Sequence, residues 1–214
     1  MAEGIFITFE GGEGSGKTTQ ALLVAEKIRQ KGREVVITRE PGGTTLGRSI
    51  RQLLLTKSED PPTPRAELLL YAADRAHHVE MVIKPALERG AVVICDRYVD
   101  ATIAYQGYGR GLDLEMVRNS CAIATGGLMP SLTLWFDLDP EVGIRRSLIR
   151  EAGRENQELR FEEEEISFHL RVREGYAQIA RSEAGRVRRI DARGDVGEVC
   201  EKVLKALKAL AGVA

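Results

Sequence analysis

Short runs of apolar, β-branched residues alternate along this chain with longer stretches in which apolar positions recur every three or four residues. The short runs fall at residues 5–9, 34–38, 91–95, 133–136 and 186–190. The first four are almost continuously apolar, the pattern of strands covered on both faces. The longer stretches predict helices over residues 17–31, 45–55, 65–89, 113–125, 140–149, 161–181 and 195–210. Gly32 and Gly90 follow two of them as natural stops, because glycine tolerates the left-handed conformation that ends a helix. Asp139 before Pro140 reads as an N-cap with proline in the first turn, and Asp195 with Glu198 as a capping box. Regular alternation of strand and helix predicts an α/β fold: a parallel sheet between two helical layers. Such sheets bind ligands at the carboxyl ends of their strands, so the chemistry is sought just after each strand. The proline-rich residues 60–64 read as a surface connection, and the polar residues 153–165, with Glu162 to Glu165 in a run, as a mobile segment.

Composition narrows the class. The 214 residues suit one domain, and 43% hydrophobic with 29% charged residues is a globular balance that excludes a disordered chain. Thirty-one Lys and Arg against 32 Asp and Glu leave a net charge of −1, which argues against a dedicated nucleic-acid binder but not against a small anion. Cys95, Cys121 and Cys200 are too few and too scattered for a disulfide framework or a metal knuckle, and read as reduced thiols of a cytoplasmic protein. No basic, apolar leader opens the chain, and no apolar run is long enough to span a membrane.

The first strand runs into Gly11-Gly12-Glu13-Gly14-Ser15-Gly16-Lys17-Thr18, with Thr19 next, and then a helix. This is G-x-x-x-x-G-K-[ST] in strand–loop–helix context. Its glycines let the backbone turn N–H groups toward phosphate oxygens, and the helix N-terminus adds partial positive charge. Lys17 can bridge the outer phosphates of a nucleoside triphosphate, and the Thr18 hydroxyl can take a place on Mg²⁺. Strand two ends at Arg39 and strand three at Asp96-Arg97, so two arginines reach the same sheet edge as the loop. A hydrolase needs one phosphate site and a water. Two further guanidiniums point to a second anion, an acceptor phosphate. The competing reading is that these arginines form structural ion pairs with Asp96, Glu10 or Glu40. Asp96 and Asp137 both end strands and could back the metal; Asp96 is favoured beside Arg97. Tyr71 and Arg75 share a helix face and could hold a flat base, although a packed tyrosine beside a surface arginine is the commoner arrangement. Adjacent His77 and His78 face different ways, which argues against a shared metal.

The phosphate loop, Thr38-Arg39-Glu40-Pro41-Gly42-Gly43-Thr44, Tyr71-Ala72-Ala73-Asp74-Arg75, Asp96-Arg97-Tyr98, Ala104-Tyr105-Gln106-Gly107 and Arg171-Val172-Arg173-Glu174-Gly175-Tyr176 occur here in an order that resembles bacterial thymidylate kinase over essentially the whole chain. The resemblance implies a single P-loop NTPase domain over residues 1–214. It would be three-layered α/β/α, with five parallel strands in the order 2-3-1-4-5 and a lid at about residues 150–165. It implies phosphoryl transfer from ATP to dTMP with Mg²⁺, in a homodimer. Arg39 and Arg97 would hold the acceptor phosphate, Tyr71 would stack on thymine, and Arg75 would bond its carbonyl edge. Thr102 and Gln106 would line the same pocket, Tyr105 would crowd the sugar 2′ position, and Glu13 would meet the 3′-hydroxyl or the metal shell. Catalysis would fall to Lys17, Arg97, Glu13 and a lid arginine. Among Arg146, Arg150, Arg154 and Arg160, Arg150 matches best. Two positions depart from the family: Ala101 where a polar residue is common, and Leu159 where aspartate often precedes Arg160. A GTPase switch would need an N-K-x-D that the sequence lacks, and its D-x-x-G, Asp191 to Gly194, comes too late. A deoxynucleoside kinase would need a general base in place of two phosphate-binding arginines.

Overall fold

The structure, a computed structural model, describes residues 3–152, 158–208 and 210. Five parallel strands, β1 (Ile5–Glu10), β2 (Val35–Arg39), β3 (Val92–Asp96), β4 (Leu132–Asp137) and β5 (Val187–Asp191), form one sheet in the order β2-β3-β1-β4-β5. Each lies within a residue or two of its predicted run. The central strand β1 is buried at every position, so its apolar run reflects two covered faces. Against one face pack α1 (Lys17–Arg29) and α9 (Val196–Leu207), in a cluster that includes Ile7, Phe9, Val24, Ile94, Phe136 and Val203. Against the other pack α3 (Pro64–His78), α6 (Leu114–Thr125) and α8 (Ile166–Ser182), around Phe6, Val93, Tyr98, Trp135, Phe168 and Tyr176.

The remaining helices are α2 (Thr45–Leu55), α4 (Lys84–Glu88), α5 (Val99–Thr102) and α7 (Pro140–Glu151). The end signals work as predicted. Gly32 and Gly90 both take φ of 80°. Asp139 accepts from the Glu141 N–H, and Asp195 and Glu198 complete a reciprocal capping box.

Three expectations fail locally. The single helix over 65–89 is α3, a π-helical turn at Val79–Ile83 and then α4. The helix expected over 161–181 starts only at Ile166, and residues 160–163 form turns. A further helical segment was missed: α5 runs into a wide π-helical stretch, Ile103–Gly109. Its buried face is held by contacts from α8, whereas its own Gly107 and Gly109 are poor helix formers.

The strand register sets the site. Phe9 of β1 and Arg39 of β2 both pair with Asp96 of β3, so the ends of these three strands stand side by side. The three cysteines are buried free thiols, and no helix among the described residues is long and apolar enough to cross a membrane.

Candidate active site

The loop after β1 wraps the N-terminus of α1. Gly11 has φ of 136°, and a Cβ there would stand 2.5 Å from the Phe136 carbonyl oxygen; at Gly14, φ of 61°, it would collide with the Gly143 carbonyl. The loop thus lies on the backbone of β4 and α7 with no room for side chains at these positions. Among the described residues, the N–H groups of Gly14, Ser15, Gly16 and Lys17 find no protein acceptor. They form an open nest at a helix N-terminus, the chemistry that receives phosphate oxygens. The Lys17 ammonium is folded onto the same loop. It donates to the carbonyls of Gly11 (3.1 Å) and Gly12 (2.7 Å) and to Ser15 Oγ (3.2 Å). Burial, with Arg97 nearby, lowers its pKa to about 8, against the pull of Asp96, Glu13 and Glu10.

Thr18 Oγ1 donates to Asp96 Oδ2 at 2.7 Å. This is a donor set suited to a divalent cation: a hydroxyl oxygen at the helix start with a carboxylate directly behind it. Asp137, the alternative carboxylate, is taken. Arg173 Nε and Arg189 Nε donate to its two oxygens at 2.7 and 2.8 Å, and Asp139 rather than Asp137 caps α7.

Arg97, expected to hold an acceptor phosphate, departs from the ion pairs considered for it. Its Nη2 donates to Glu13 Oε1 at 2.7 Å and its Nη1 to the Gly11 carbonyl at 3.0 Å, so it grips the phosphate loop itself. Its guanidinium carbon lies 4.8 Å from the centre of the Tyr105 ring, whose hydroxyl donates to the Glu13 carboxylate at 2.7 Å. Burial alone would raise the Glu13 carboxyl; Arg97, His169, Lys17 and Tyr105 overcome it and hold the group well below the usual carboxylate range. Arg39, by contrast, is exposed, and its side chain makes no hydrogen bond or ion pair among the described residues. Burial of part of its side chain and repulsion from Arg51 lower its pKa.

Tyr71 and Arg75, expected to hold a base, are also unlike the commoner arrangement. Arg75 is fully buried, its Nε on Glu40 Oε2 (2.7 Å) and its Nη2 on the Tyr98 carbonyl (2.9 Å). Glu40 Oε1 in turn faces His78 Nδ1 at 2.9 Å, and Thr38 Oγ1 lies 2.6 Å from His78 Nε2. The guanidinium still borders the cavity, and not all of its N–H donors are spent. Gln106 Nε2 donates to Glu67 at 2.7 Å. Thr102 Oγ1 is buried at the cavity wall without a partner, a polar atom placed for a ligand.

One cavity of about 390 Å³ joins these groups. Its lining includes residues 13–19 of the loop, Arg39, Tyr71, Arg75, Asp96, Arg97, Thr102, Tyr105, Gln106 and Arg150; Gly11 and Gly12 lie outside it, behind the lining residues. Arg150, with its side chain 54% exposed, donates to Ser147 Oγ (2.8 Å) and Glu151 Oε1 (3.1 Å). Arg160 points elsewhere, bonding the Leu54 carbonyl (2.8 Å) and Glu67 (2.6 Å), and Gly153 to Gln157, with Arg154, lie outside the described residues.

Sequence reading missed Arg51, Glu158, Phe161 and Glu162, which also line the cavity. Arg51 makes a two-point pair with Glu158, at 2.8 and 2.5 Å. Its signal was available: it lies one turn from Gly47 and beside Ile50 and Leu54, the buried face of α2, where an arginine has no packing reason to be. His169 was missed too. It places Nε2 2.9 Å from the Phe161 carbonyl and Nδ1 3.6 Å from Glu13.

Comparison with known proteins matches this geometry. The sequence model described as thymidylate kinase matches residues 9–203. A thymidylate kinase of Synechococcus sp. (strain JA-2-3B'a(2-13)) is 54% identical over 199 residues, covering 93% of this chain and 92% of that protein. One of Gloeobacter violaceus is 52% identical over 203 residues, 95% and 94% of the two chains. The crystal structure of thymidylate kinase from Ehrlichia chaffeensis superposes with a TM-score of 0.78 at 34% identity, over 96% of this chain and 99% of that one. The nest at α1, the strand-end arginines and the shared topology therefore have one origin: this chain belongs to the thymidylate kinase family, with the P-loop NTPase fold.

Proposed function

We propose that this chain transfers the γ-phosphoryl group of ATP to dTMP, giving ADP and dTDP. The observation that carries the reading is that one cavity is lined by the loop at the start of α1 with Lys17 and by Arg39, Asp96 and Arg97. That arrangement accommodates two phosphate-bearing ligands end to end. The acceptor needs no general base. A phosphate monoester has its second pKa near about 6 and is largely a dianion at neutral pH. What opposes reaction is repulsion between two anions, and the arginines offset it. A hydroxyl acceptor would instead require a base, and Glu13 is poorly suited, because Arg97 and Tyr105 lower its affinity for a proton.

In this reading the loop N–H groups and Lys17 hold the donor phosphates, with Lys17 leaving its carbonyl partners for them. Arg97, Arg39 and the adjacent Arg51 hold the dTMP phosphate. Tyr71 stacks on thymine, Arg75 and Gln106 bond its polar edge, and the orphan Thr102 hydroxyl gains a partner. Tyr105 stands at the sugar and excludes a 2′-hydroxyl, while Glu13 orients the sugar from the loop. Thr18, backed by Asp96, would hold Mg²⁺, which when bound neutralises charge on the donor phosphate oxygens. Arg150, exposed at the cavity rim, closes over the transferring group as part of a lid at about residues 150–165 in a single kinase domain.

A homodimer accompanies the reading. Helices α3 and α6 leave Leu69 64% and Ile123 85% exposed around a shallow apolar hollow floored by Ala72, Ala73 and Ala76. Three buried free thiols suit a reducing cytoplasm.

The test is turnover of the purified chain with ATP and, in parallel, dTMP, thymidine, dGMP and UMP. Preferred turnover of dTMP is expected. Preference for any of the other three overturns the substrate assignment. Sedimentation of the same sample checks the dimer.

A further inference from the structure

Arg97 is the only non-glycine residue with positive φ among the described residues, at 70°. An L side chain rarely adopts this conformation, and it persists only where the surroundings over-determine it. Both peptide planes flanking Arg97 are pinned. Its own N–H donates to the Phe9 carbonyl at 2.9 Å, which sets the plane before it. The next N–H, of Tyr98, donates to Glu10 Oε1 at 2.7 Å, which sets the plane after it. We propose that Glu10 is a positioning residue, holding the backbone of Arg97 so that its guanidinium is aimed at the acceptor phosphate.

Glu10 lies directly against the Arg97 turn. It is the last residue of β1, completely buried, and has no ion pair among the described residues. A carboxyl in such a position is costly, and β1 itself requires only an apolar side chain there. Its other oxygen accepts from the Tyr176 hydroxyl at 2.9 Å, and the Tyr176 ring stacks on Trp135 with centres 6.2 Å apart. The carboxyl is thus clamped at one end by α8 and clamps the Arg97 turn at the other. The guanidinium that results spans Gly11 and Glu13, where donor and acceptor sites meet. Burial and repulsion from Asp100 push the carboxyl up, against Arg97 and its two hydrogen bonds.

The proposal rests on the reading of Arg97 as the acceptor-phosphate ligand, and the experiment separates the two. Binding of dTMP by calorimetry, KM for ATP and dTMP, kcat and thermal midpoint are measured for Glu10→Ala, Glu10→Gln, Tyr176→Phe, Arg97→Ala and the Glu10→Ala/Arg97→Ala pair. Glu10→Ala is expected to weaken dTMP by roughly tenfold or more while ATP KM moves by less than about threefold. Glu10→Gln keeps an oxygen for the Tyr98 N–H and turns an amide toward Tyr176, so it restores dTMP affinity to within about threefold. In the Arg97→Ala background Glu10→Ala adds under about twofold, because what it aims is gone. Equal losses for ATP and dTMP, no rescue by glutamine, or full additivity in the pair would each reduce Glu10 to a structural role and overturn the proposal. Should Glu10→Ala not fold, Tyr176→Phe carries the test. It frees one carboxyl oxygen and is expected to weaken dTMP selectively; unchanged dTMP affinity refutes the clamp. If Arg97→Ala itself leaves dTMP binding intact, the acceptor reading falls and the aiming role falls with it. A large Arg97→Ala loss beside a wild-type Glu10→Ala defeats the positioning role alone.

Discussion

The donor and acceptor halves of the cavity are built in opposite ways. On the donor side the backbone is unspent: among the described residues the N–H groups of Gly14 to Lys17 have no protein acceptor, while Lys17 rests on carbonyls of its own loop. On the acceptor side most groups are already bonded to each other. Arg97, Glu13 and Tyr105 form one cluster, partly buried, and Arg75, Glu40 and His78 another, fully buried. A triphosphate brings enough charge to organise a generic, backbone-lined nest by itself. A single base must instead be distinguished from near neighbours, and that favours side chains fixed before the ligand arrives.

The contrast can be broken most forcefully on the donor side. Lys17→Ala removes nearly all turnover while the circular dichroism spectrum stays native. Retention of substantial turnover would place the donor phosphates elsewhere. Arg150→Ala is expected to lower kcat by on the order of 10³ with little change in dTMP affinity, since a lid arginine stabilises charge that appears only in the transition state. A loss under about tenfold, or one confined to dTMP binding, moves that role to Arg146 or Arg154.

On the acceptor side, Arg97→Ala weakens dTMP binding by about 2–5 kcal/mol, the usual cost of removing one partner of a buried charge pair. Calorimetry showing unchanged affinity would make Arg97 a purely structural partner of Glu13. Tyr105→Ala should improve the relative use of the ribonucleotide analogue of dTMP. Equal proportional losses for both sugars would refute the gate. The smallest effect is the pH dependence of the free enzyme. Lys17 must carry its proton to hold phosphate, and its pKa is lowered to about 8. So kcat/KM for ATP falls as pH rises through that value, while kcat persists to higher pH because bound phosphates favour the ammonium. A profile flat well beyond pH 8 would show that the lysine keeps its proton in the free enzyme.

Much of the cavity lining was legible because it is local or ends a strand. The phosphate loop is contiguous, and Arg39, Asp96 and Arg97 follow apolar runs that admit only the strand reading. Tyr71 and Arg75 share a face because helical spacing requires it. What escaped depends on partners remote in sequence. Residues 103–109 hold glycines and aromatics that mask helical periodicity, and their π-helical path is held by α8, distant in sequence. Arg51 needed the inference that a charge on an apolar helix face has a partner, and that partner, Glu158, lies far along the chain. The break in the helix over 65–89 also left no trace, since Val79 to Ile83 suit either hydrogen-bond spacing.

By itself the amino-acid sequence determined the class of ligand, the alternation of strands and helices, and which arginines reach the sheet edge. These follow from residue type, spacing and the two periods of regular backbone, all of which act over short stretches of chain. Only the tertiary structure decided what each charge touches: Arg97 on Glu13 and Gly11, Arg75 on Glu40 and Tyr98, Asp137 on Arg173 and Arg189, and Glu10 under the turn at Arg97. The reason is physical. A guanidinium or carboxyl is selected by whichever complementary group folding brings within about 3 Å in a dry environment. Neighbours of that kind come from strands and helices that are remote in sequence and adjacent only in the packed sheet.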